Sequence, residues 1–287
     1  MNVSLLNSSR GFDDQVDLTD EEFRAFQELI HTRSGIHLSD NKRSLMRAKL
    51  AKRLRALHIS GFSDYYRFVA HDRSGEELIQ LLDVVSINVT NFFREPGHFD
   101  YLGRSLLPAL IGGSSLHPHI WSAACATGEE PCTIAMTVLE KWPQAAKRGF
   151  KILATDISTA ALEKARAGEY GADRVAHVPP AMLDRYFEVL FRGGRRIYRI
   201  REEVRSLIRY RRFNLNGPHW PFQKPFDAIF CRNVMIYFNQ QTQLKLVQGF
   251  TRQLRRGGIL FVGHSESLVG IKHELEFVEP TVYRRTI

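Results

Sequence analysis

HIWSAACATGEEPCTIAMTVLEKW, residues 119–142, decides the fold class. An apolar segment suited to a strand passes through a short loop into a helix that begins at Glu129. Ala124, Ala126 and Gly128 put small side chains at alternate positions of that loop, so the backbone there can approach a ligand closely. The helix adds unpaired backbone N–H groups at its start. The stretch therefore predicts a strand–loop–helix unit that binds a nucleotide-like ligand.

The charge of this loop narrows the class of ligand. A pyrophosphate at a helix N-terminus is favoured by positive character. Here the helix opens with Glu129 and Glu130, whose carboxylates repel phosphate and suit the ammonium of an amino-acid-bearing cofactor. This difference favours S-adenosylmethionine over NAD or ATP, and the spacing leaves open which of the two glutamates makes the contact.

Strands alternate with helices from Pro96 to the end of the sequence. The predicted strands are HIWSAAC, KILATDIS, IRYRRFNL, FDAIFCRN, GILFVGH and FVEPTVYRRT. Such alternation predicts an α/β fold, a Rossmann-like doubly wound domain with a mostly parallel sheet. A segment at about residues 178–206 interrupts the pattern, and its FRGGRRIYRI portion predicts a hairpin that turns at Gly193 and Gly194. We interpret it as a small inserted β-subdomain.

Polar residues follow the strands at the edge where doubly wound sheets bind ligands. Asp156 ends the second strand, where an acid accepts the ribose hydroxyls of a cofactor. The alternative is that Asp156 caps the following helix, a role that Ser158 could also fill. Asn214 and Leu215 end the third predicted strand, and Cys231, Arg232 and Asn233 end the fourth, which places both groups at the same edge.

The chain before Pro96 predicts a separate helical domain. We expect residues 1–15 to form a flexible leader, residues 16–95 the helical domain and residues 96–287 the α/β domain. The second predicted helix, from about Asp40 to His58, carries seven Lys or Arg residues and no acid after Asp40. Like charges on one helix repel each other at i, i+4 spacing, so an acidic partner is a reasonable explanation.

Composition limits the classes of partner, metal site and cellular location that the protein can have. The net charge of +9 favours an anionic partner, which can be nucleic acid, an acidic protein surface or anionic lipid. The three cysteines form no CxxC pair and lie far from histidines in zinc-ligand spacing, so we expect no metal site. No long apolar run and no signal peptide is evident, and we expect a cytoplasmic protein without direct membrane insertion.

Five segments, taken in order, resemble one family. They are NVTNFFRE, SAACATGEEP, ATDIS, FDAIFCRNVMIYF and GHSESL. In order and approximate spacing they are similar to the chemotaxis-receptor protein-glutamate O-methyltransferase family (CheR type), and the resemblance spans nearly the whole chain. It implies a small helical domain, a Rossmann-like S-adenosylmethionine domain with a β-subdomain, and methyl esterification of receptor glutamates in chemosensory adaptation.

The resemblance also assigns residues. The implied contacts to S-adenosylmethionine, or to its product S-adenosylhomocysteine, are Asn88, Thr90, Arg94, Glu130, Asp156, Asn214, Leu215, Cys231, Arg232 and Asn233. Tyr237 matches a tyrosine near the transferring methyl, and we hypothesise that Arg94 and Tyr237 hold the incoming carboxylate. Arg43, Arg47 and Arg53 become candidates for docking the glutamate-rich methylation helices of the receptor. A receptor C-terminal peptide could bind the β-subdomain.

Little further catalytic machinery is expected. A glutamate side chain ionises at about pH 4.3, so it is already an anionic nucleophile and requires no general base. Proximity and alignment can supply roughly 7–11 kcal/mol of barrier lowering.

Two other functions remain as alternatives. A nucleic-acid methyltransferase fits the charge, but CRNVMIY lacks the prolines that such enzymes carry after the fourth strand, so we expect no nucleic-acid partner. A scaffold that senses the cofactor without catalysis fits the fold, and the intact candidate residues argue against it. HSES at 264–267 is not a GxSxG nucleophile elbow, so hydrolase chemistry is disfavoured.

Overall fold

The computed structural model describes residues 17–86, 88–113 and 117–286, so the predicted leader at residues 1–15 lies outside the described residues. The chain forms two compact units that divide after Ile87. We expected the boundary after residue 95. It lies earlier because NVTNFFRE belongs to the second unit, where the buried Phe92 ring packs edge-on against Tyr170 at a centroid distance of 4.9 Å.

The first unit is helical, as the sequence predicts. Its helices are α1 (Asp20–Ser34), α2 (Arg43–Leu57), α3 (Phe62–His71) and α4 (Glu76–Val85), and a 3-10 turn (Asp40–Lys42) precedes α2. The hydroxyl of Thr19 accepts from the Glu22 N–H while the Glu22 side chain accepts from the Thr19 N–H, so a capping box starts α1. Gly35, with φ of 79°, ends the helix in the left-handed conformation.

Apolar residues at helical spacing form the core of this unit. Phe26, Ile30, Leu50 and Leu54 are fully buried, on the faces of α1 and α2 that the apolar spacing predicts. The Phe26 ring packs edge-on against Tyr66 at 5.5 Å between centroids. The basic residues of α2 occupy its other faces.

The described part of the second unit contains ten strands and seven α-helices. The helices are α5 (Gly97–Tyr101), α6 (Leu107–Gly112), α7 (Glu129–Lys141), α8 (Thr159–Ala167), α9 (Pro180–Tyr186), α10 (Glu202–Arg205) and α11 (Gln240–Gln253). The strands are β1 (His119–Ala123), β2 (Lys151–Asp156), β3 (Glu169–Gly171), β4 (Phe187–Arg192), β5 (Arg195–Ile200), β6 (Ile208–Arg212), β7 (Phe226–Cys231), β8 (Leu254–Val262), β9 (Leu275–Glu279) and β10 (Val282–Arg285).

Seven strands form the main sheet in the order β6-β2-β1-β7-β8-β10-β9. The first five are mutually parallel, which confirms the predicted doubly wound fold, and β10 and β9 add antiparallel at the edge. Near the ends of these strands, Ala123 of β1 pairs with Thr155 of β2 on one side and with Cys231 of β7 on the other. The loops that carry the candidate residues therefore emerge side by side at one edge of the sheet.

The final segment differs from its prediction. FVEPTVYRRT was expected to form one strand, but it contributes to the β9–β10 hairpin, which turns at Pro280 and Thr281. Thr281 has φ of 61°, a left-handed conformation that reverses the chain. Pro280 lies at the turn, and proline has no backbone N–H to donate to a neighbouring strand. The alternating segment therefore forms two strands instead of one.

The β-subdomain is a three-stranded sheet in the order β3-β5-β4. Gly193 and Gly194, with φ of 54° and 74°, form the predicted hairpin turn between β4 and β5. The sheet also includes β3, which precedes the expected range of 178–206, because Tyr170 pairs with Tyr198 of β5. Within residues 17–86, 88–113 and 117–286, no helix is both long enough and apolar enough to cross a membrane.

Candidate active site at the carboxyl edge of the sheet

In the loop between β1 and α7, every second residue has a left-handed backbone conformation. Ala124, Ala126 and Gly128 have φ of 64°, 47° and 96°. Gly128 has no room for a side chain, since a Cβ there would lie 2.8 Å from the Cβ of Ala165. Small residues at alternate positions thus let the backbone coil tightly at the start of α7.

Asp156 ties this loop to the end of β2. One carboxylate oxygen accepts from the Ala126 N–H at 2.8 Å, and the other accepts from the Ser158 N–H at 2.9 Å. The helix that follows is capped by the Ser158 hydroxyl, which accepts from the Ala161 N–H at 3.1 Å. The cap that we considered for Asp156 therefore belongs to Ser158, and Asp156 orients the loop.

Both glutamates of the loop are buried and paired. Glu129 forms an ion pair with Arg174 and accepts from the Thr127 hydroxyl at 2.6 Å. Glu130 accepts from the Ser122 hydroxyl at 2.7 Å and pairs with Arg232 at 3.1 Å. Burial raises the pKa of Glu130, and the Arg232 guanidinium opposes that rise. Each of the two carboxylates at the start of α7 thus has an arginine partner within the same unit.

Arg232 is the centre of the buried ionic network. Its side chain is 2% exposed, contacts Glu95 at 2.9 Å and Glu130 at 3.1 Å, and donates to the Arg94 carbonyl. Glu95 also accepts from the Asn233 side-chain amide at 3.3 Å and from the His264 N–H at 3.1 Å. Burial acts to raise the pKa of Glu95, but Arg232 and these donors lower it overall. The network joins the NVTNFFRE segment to the loops after β7 and β8.

The NVTNFFRE segment is also tied to the segments that follow β1 and β2. The Asn88 amide donates to the Ser158 hydroxyl at 3.4 Å. The Thr90 carbonyl accepts from Arg174 at 3.0 Å, and the same guanidinium contacts Thr127 at 3.2 Å. The structure therefore brings Asn88, Thr90 and the loop before α7 into one region.

Arg94 and Tyr237 lie near each other. The Arg94 guanidinium donates to the Val89 carbonyl at 3.2 Å. Burial raises the pKa of Tyr237, and the positive charge of Arg94 partly offsets the rise. Val89 lies in the loop between α4 and α5, so this contact holds Arg94 to a loop carbonyl. The phenol stays protonated at neutral pH and can donate a hydrogen bond.

The residues after β6 and β7 occupy the expected edge. β6 ends at Arg212, so Asn214 and Leu215 lie just beyond the strand rather than within it. The Asn214 side chain accepts from the Asn216 N–H at 3.0 Å, and the Leu215 carbonyl accepts from the Trp220 indole at 3.2 Å.

Cys231 and Asn233 have different surroundings. Cys231 is fully buried, and burial raises the pKa of its thiol well above the usual value, so only its backbone is suited to meet a ligand. Asn233 has φ of 57°, a left-handed turn that directs the chain from β7 toward Tyr237. Its backbone N–H donates to Glu266 at 2.7 Å.

Two family models match the chain over these elements. The model described as CheR methyltransferase, SAM binding domain matches residues 88–284, and the model described as CheR methyltransferase, all-alpha domain matches residues 21–86. This chain belongs to the CheR methyltransferase family. The two matches meet where the compact units divide.

Curated members of the family align over most of the chain. A probable chemotaxis protein methyltransferase of Rhizobium etli is 41% identical and covers 90% of this chain and 97% of that protein. A chemotaxis protein methyltransferase of Borreliella burgdorferi is 35% identical, covering 96% and 97%. One from Escherichia coli is 37% identical, covering 93% and 91%. These similarities confirm the resemblance identified from the five motifs.

The basic helix of this CheR family member has internal partners. Arg43 contacts Asp20 at 2.5 Å, Arg47 contacts Asp17 at 3.3 Å, and Arg53 pairs with Glu77 at 2.6 Å. These side chains are between a quarter and a third exposed. An acidic partner that bound these three arginines would therefore meet guanidinium groups that are already paired with carboxylates of the same unit.

Sequence reasoning missed two residues of the site. Arg174 lies beyond α8, where no pattern marked it, yet it connects Glu129 to Thr90. Glu266 lies inside the GHSESL motif, where its acidic type was a usable signal. Its carboxylate accepts from backbone N–H groups on two loops.

Three potential metal ligands also meet beside the network. The spacing of cysteine and histidine indicated no metal site, but Glu95, His98 and His264 place ligand atoms within 4.8 Å of one another. Burial lowers the pKa of His98 to about 3. The Arg232 guanidinium already supplies Glu95 with a cationic partner, so we assign the group to the network around Arg232.

Proposed function

We propose that this CheR family member transfers the methyl group of S-adenosylmethionine to glutamate side chains of a chemoreceptor, giving glutamate methyl esters and S-adenosylhomocysteine. The observation that carries the proposal is the group of buried carboxylates, Glu129, Glu130 and Asp156, around a left-handed loop at the carboxyl edge of the sheet. Membership of the family and the names of the curated relatives support the methyl donor and the chemotaxis pathway.

The residues present fit this cofactor. A cradle of carboxylates disfavours phosphate and suits an ammonium group and ribose hydroxyls. We assign the ribose to Asp156, the ammonium side to Glu130, and the remaining contacts to Asn88, Thr90, Arg94 and the segments at 214–215 and 231–233. When bound, S-adenosylmethionine supplies an electrophilic methyl group whose departure leaves a neutral thioether.

The protein's part in the reaction is alignment. The substrate carboxylate is anionic at neutral pH, and no base has to remove a proton from it. Tyr237 can donate its phenolic hydrogen to one carboxylate oxygen, and Arg94 can hold the other without protonating it. Both contacts would fix the direction of attack, the kind of positioning that contributes most to displacement reactions.

The activity is tested with radiolabelled S-adenosylmethionine and receptor-containing membranes. We expect label on the receptor that is released as methanol by base, because a carboxyl ester is base-labile whereas an N-methyl group is not. Tyr237→Phe should bind S-adenosylhomocysteine as the wild type does and lose most turnover. Stable label, or label on nucleic acid, would replace the proposal with the other class of methyltransferase.

The basic helix is our candidate for docking the acidic methylation helices. Lys52 and Arg55 are exposed on α2, next to the partly paired Arg43, Arg47 and Arg53. Reversing both exposed charges, in Lys52→Glu with Arg55→Glu, should lower kcat/KM for the receptor at low salt, with a smaller effect at high salt because salt screens exposed charges. Arg73→Glu reverses one exposed charge on a loop of the same unit, half the charge change of the double variant, and should leave kcat/KM unchanged.

The β-subdomain offers an edge strand to a receptor tail. β4 is at the edge of its sheet, and its Val189 and Phe191 side chains are 44% and 73% exposed. An extended peptide can add as a strand to such an edge. Calorimetry with the receptor's C-terminal peptide tests this contact. If Phe191→Asp bound the peptide as tightly as the wild type, β4 would be excluded as the binding edge.

We further propose that the reaction takes place in the cytoplasm, where receptor methylation helices lie. The three cysteines are buried and not joined in disulfides, which suits a reducing compartment.

A further inference from the structure

One buried carboxylate holds two loops of the site together. Glu266 is 5% exposed. One of its oxygens accepts from the N–H groups of Asn233 and Gly263, both at 2.7 Å. The other accepts from the N–H groups of Met235 at 2.6 Å and Ile236 at 3.3 Å. Four backbone donors thus converge on a single side chain.

These donors belong to segments that leave adjacent parallel strands. Asn233, Met235 and Ile236 follow β7 and lead into the 3-10 turn that ends at Tyr237. Gly263 is the first residue after β8. Glu266 therefore fixes the path of the chain from the end of β7 to Tyr237 against the turn after β8.

The space beside Gly263 provides an independent observation. A Cβ at this position would lie 2.6 Å from the Asn233 side-chain nitrogen, 2.8 Å from the Asn233 backbone nitrogen and 2.8 Å from the Glu266 carboxylate. All three distances are too short for real side-chain contacts, and two of the atoms belong to backbone or to the clamping carboxylate. Glycine at 263 is thus what allows the carboxylate to reach the β7 loop.

Glu266 also acts on the Tyr237 phenol through space. Burial is the main cause of the raised pKa of Tyr237, and the negative charge of Glu266 adds to it. The positive charge of Arg94 acts in the opposite direction. The backbone contacts of Glu266 reach Ile236, the residue directly before Tyr237, and so fix the backbone that carries the phenol.

We propose that Glu266 is a positioning residue of methyl transfer, which sets the place of Tyr237 through the backbone of residues 233–236 and depends on Gly263 to do so. This inference rests on the proposed function. Glu266 acts on the rate through Tyr237 and not by contact with the reacting groups.

The first test is Glu266→Gln. The new amide retains one acceptor oxygen, but its NH2 group faces two backbone N–H donors, so one of the two loops must move. Displacement of an aligned group by about 1 Å can cost about 100-fold, so we expect kcat to fall by about 10- to 100-fold. Gly263→Ala should produce the same loss by pushing the carboxylate away. Glu274→Gln makes the same chemical change at an exposed glutamate and should keep wild-type kcat.

A double-mutant cycle separates positioning from general damage. In a Tyr237→Phe background, Glu266→Gln should change kcat by no more than about twofold, since residues that act through one group are not additive. Equal fold losses with and without Tyr237 would overturn the inference. Calorimetry with S-adenosylhomocysteine verifies that each variant is folded, and Glu266→Asp, which keeps the charge on a shorter side chain, replaces Glu266→Gln in the cycle if that variant is not.

The outcomes distinguish this inference from the proposed function. Absence of base-labile ester in wild type and in Glu274→Gln would remove the proposed function. Normal ester formation by those two proteins, together with wild-type kcat in Glu266→Gln, would remove only the positioning role.

Discussion

Replacing Arg232 with methionine tests how much folding stability depends on a cationic partner for the buried carboxylates. The guanidinium is 2% exposed, lies within 3.1 Å of carboxylate oxygens on Glu95 and Glu130, and donates to the Arg94 carbonyl. Methionine fills much of the aliphatic volume without donating a hydrogen bond. Both carboxylates would then remain buried without their cationic partner.

The size of the effect follows from what each carboxylate keeps. Glu95 retains the Asn233 amide at 3.3 Å and the His264 N–H at 3.1 Å, whereas Glu130 retains the Ser122 hydroxyl at 2.7 Å. Removing one partner of a buried ion pair costs about 3–5 kcal/mol. Since a domain is stable by about 5–15 kcal/mol, Arg232→Met should lose a large part of the stability of the second unit.

The loss should depend on pH in a definite direction. Burial raises the pKa of Glu130 even with Arg232 present, and removing the guanidinium raises it further. A carboxyl whose pKa is higher in the folded state binds more protons there, so folded stability falls as pH rises through that pKa. The deficit of Arg232→Met is therefore full at about pH 8 and smaller at about pH 5.

Urea unfolding followed by tryptophan fluorescence measures the deficit. All three tryptophans, at positions 121, 142 and 220, lie in the second unit, so the signal reports on that unit. We expect a lower midpoint with an unchanged m-value. Arg232→Met combined with Glu130→Gln should regain part of the loss, because the amide carries no charge. A single variant within about 1 kcal/mol of wild type at about pH 8 would refute the reasoning.

Three further predictions concern single contacts. Asp156→Ala should weaken S-adenosylhomocysteine binding by about 10- to 100-fold, since hydrogen bonds to a charged group contribute about 1.5–3 kcal/mol. Unchanged affinity in calorimetry would contradict the ribose role. Gly128→Ala should lower the free energy of unfolding by about 1–3 kcal/mol in the tryptophan assay, because its Cβ would meet Ala165 at 2.8 Å on a backbone with φ of 96°. Arg53→Met should destabilise the helical unit by about 3 kcal/mol, since Glu77 is buried and pairs with Arg53 at 2.6 Å. Hydrogen exchange of α2 and α4 measures this loss, and protection equal to wild type would exclude it.

The candidate site was predictable wherever a residue ends a regular element. Asp156 ends β2 and Arg232 follows β7, and parallel strands end at a common edge, so the approximate place of both residues could be inferred from the sequence. The partners of these residues could not. Asp156 orients the loop through the Ala126 N–H, and Glu130 meets Arg232 across 102 positions of sequence.

Features that arise from neighbouring residues could be read from the amino-acid sequence: the tight loop around Gly128, the hairpin turn at Gly193 and Gly194, and the alternation of strands with helices. Such features depend on interactions between residues within about one helical turn of each other, and the local sequence is sufficient to specify those interactions. Tertiary structure alone decided that NVTNFFRE joins the second unit, that Arg174 connects Glu129 to Thr90, and that Glu266 clamps the loop before Tyr237. Those contacts depend on which strands become neighbours. Strand order is set by the packing of the whole sheet, which no local pattern encodes.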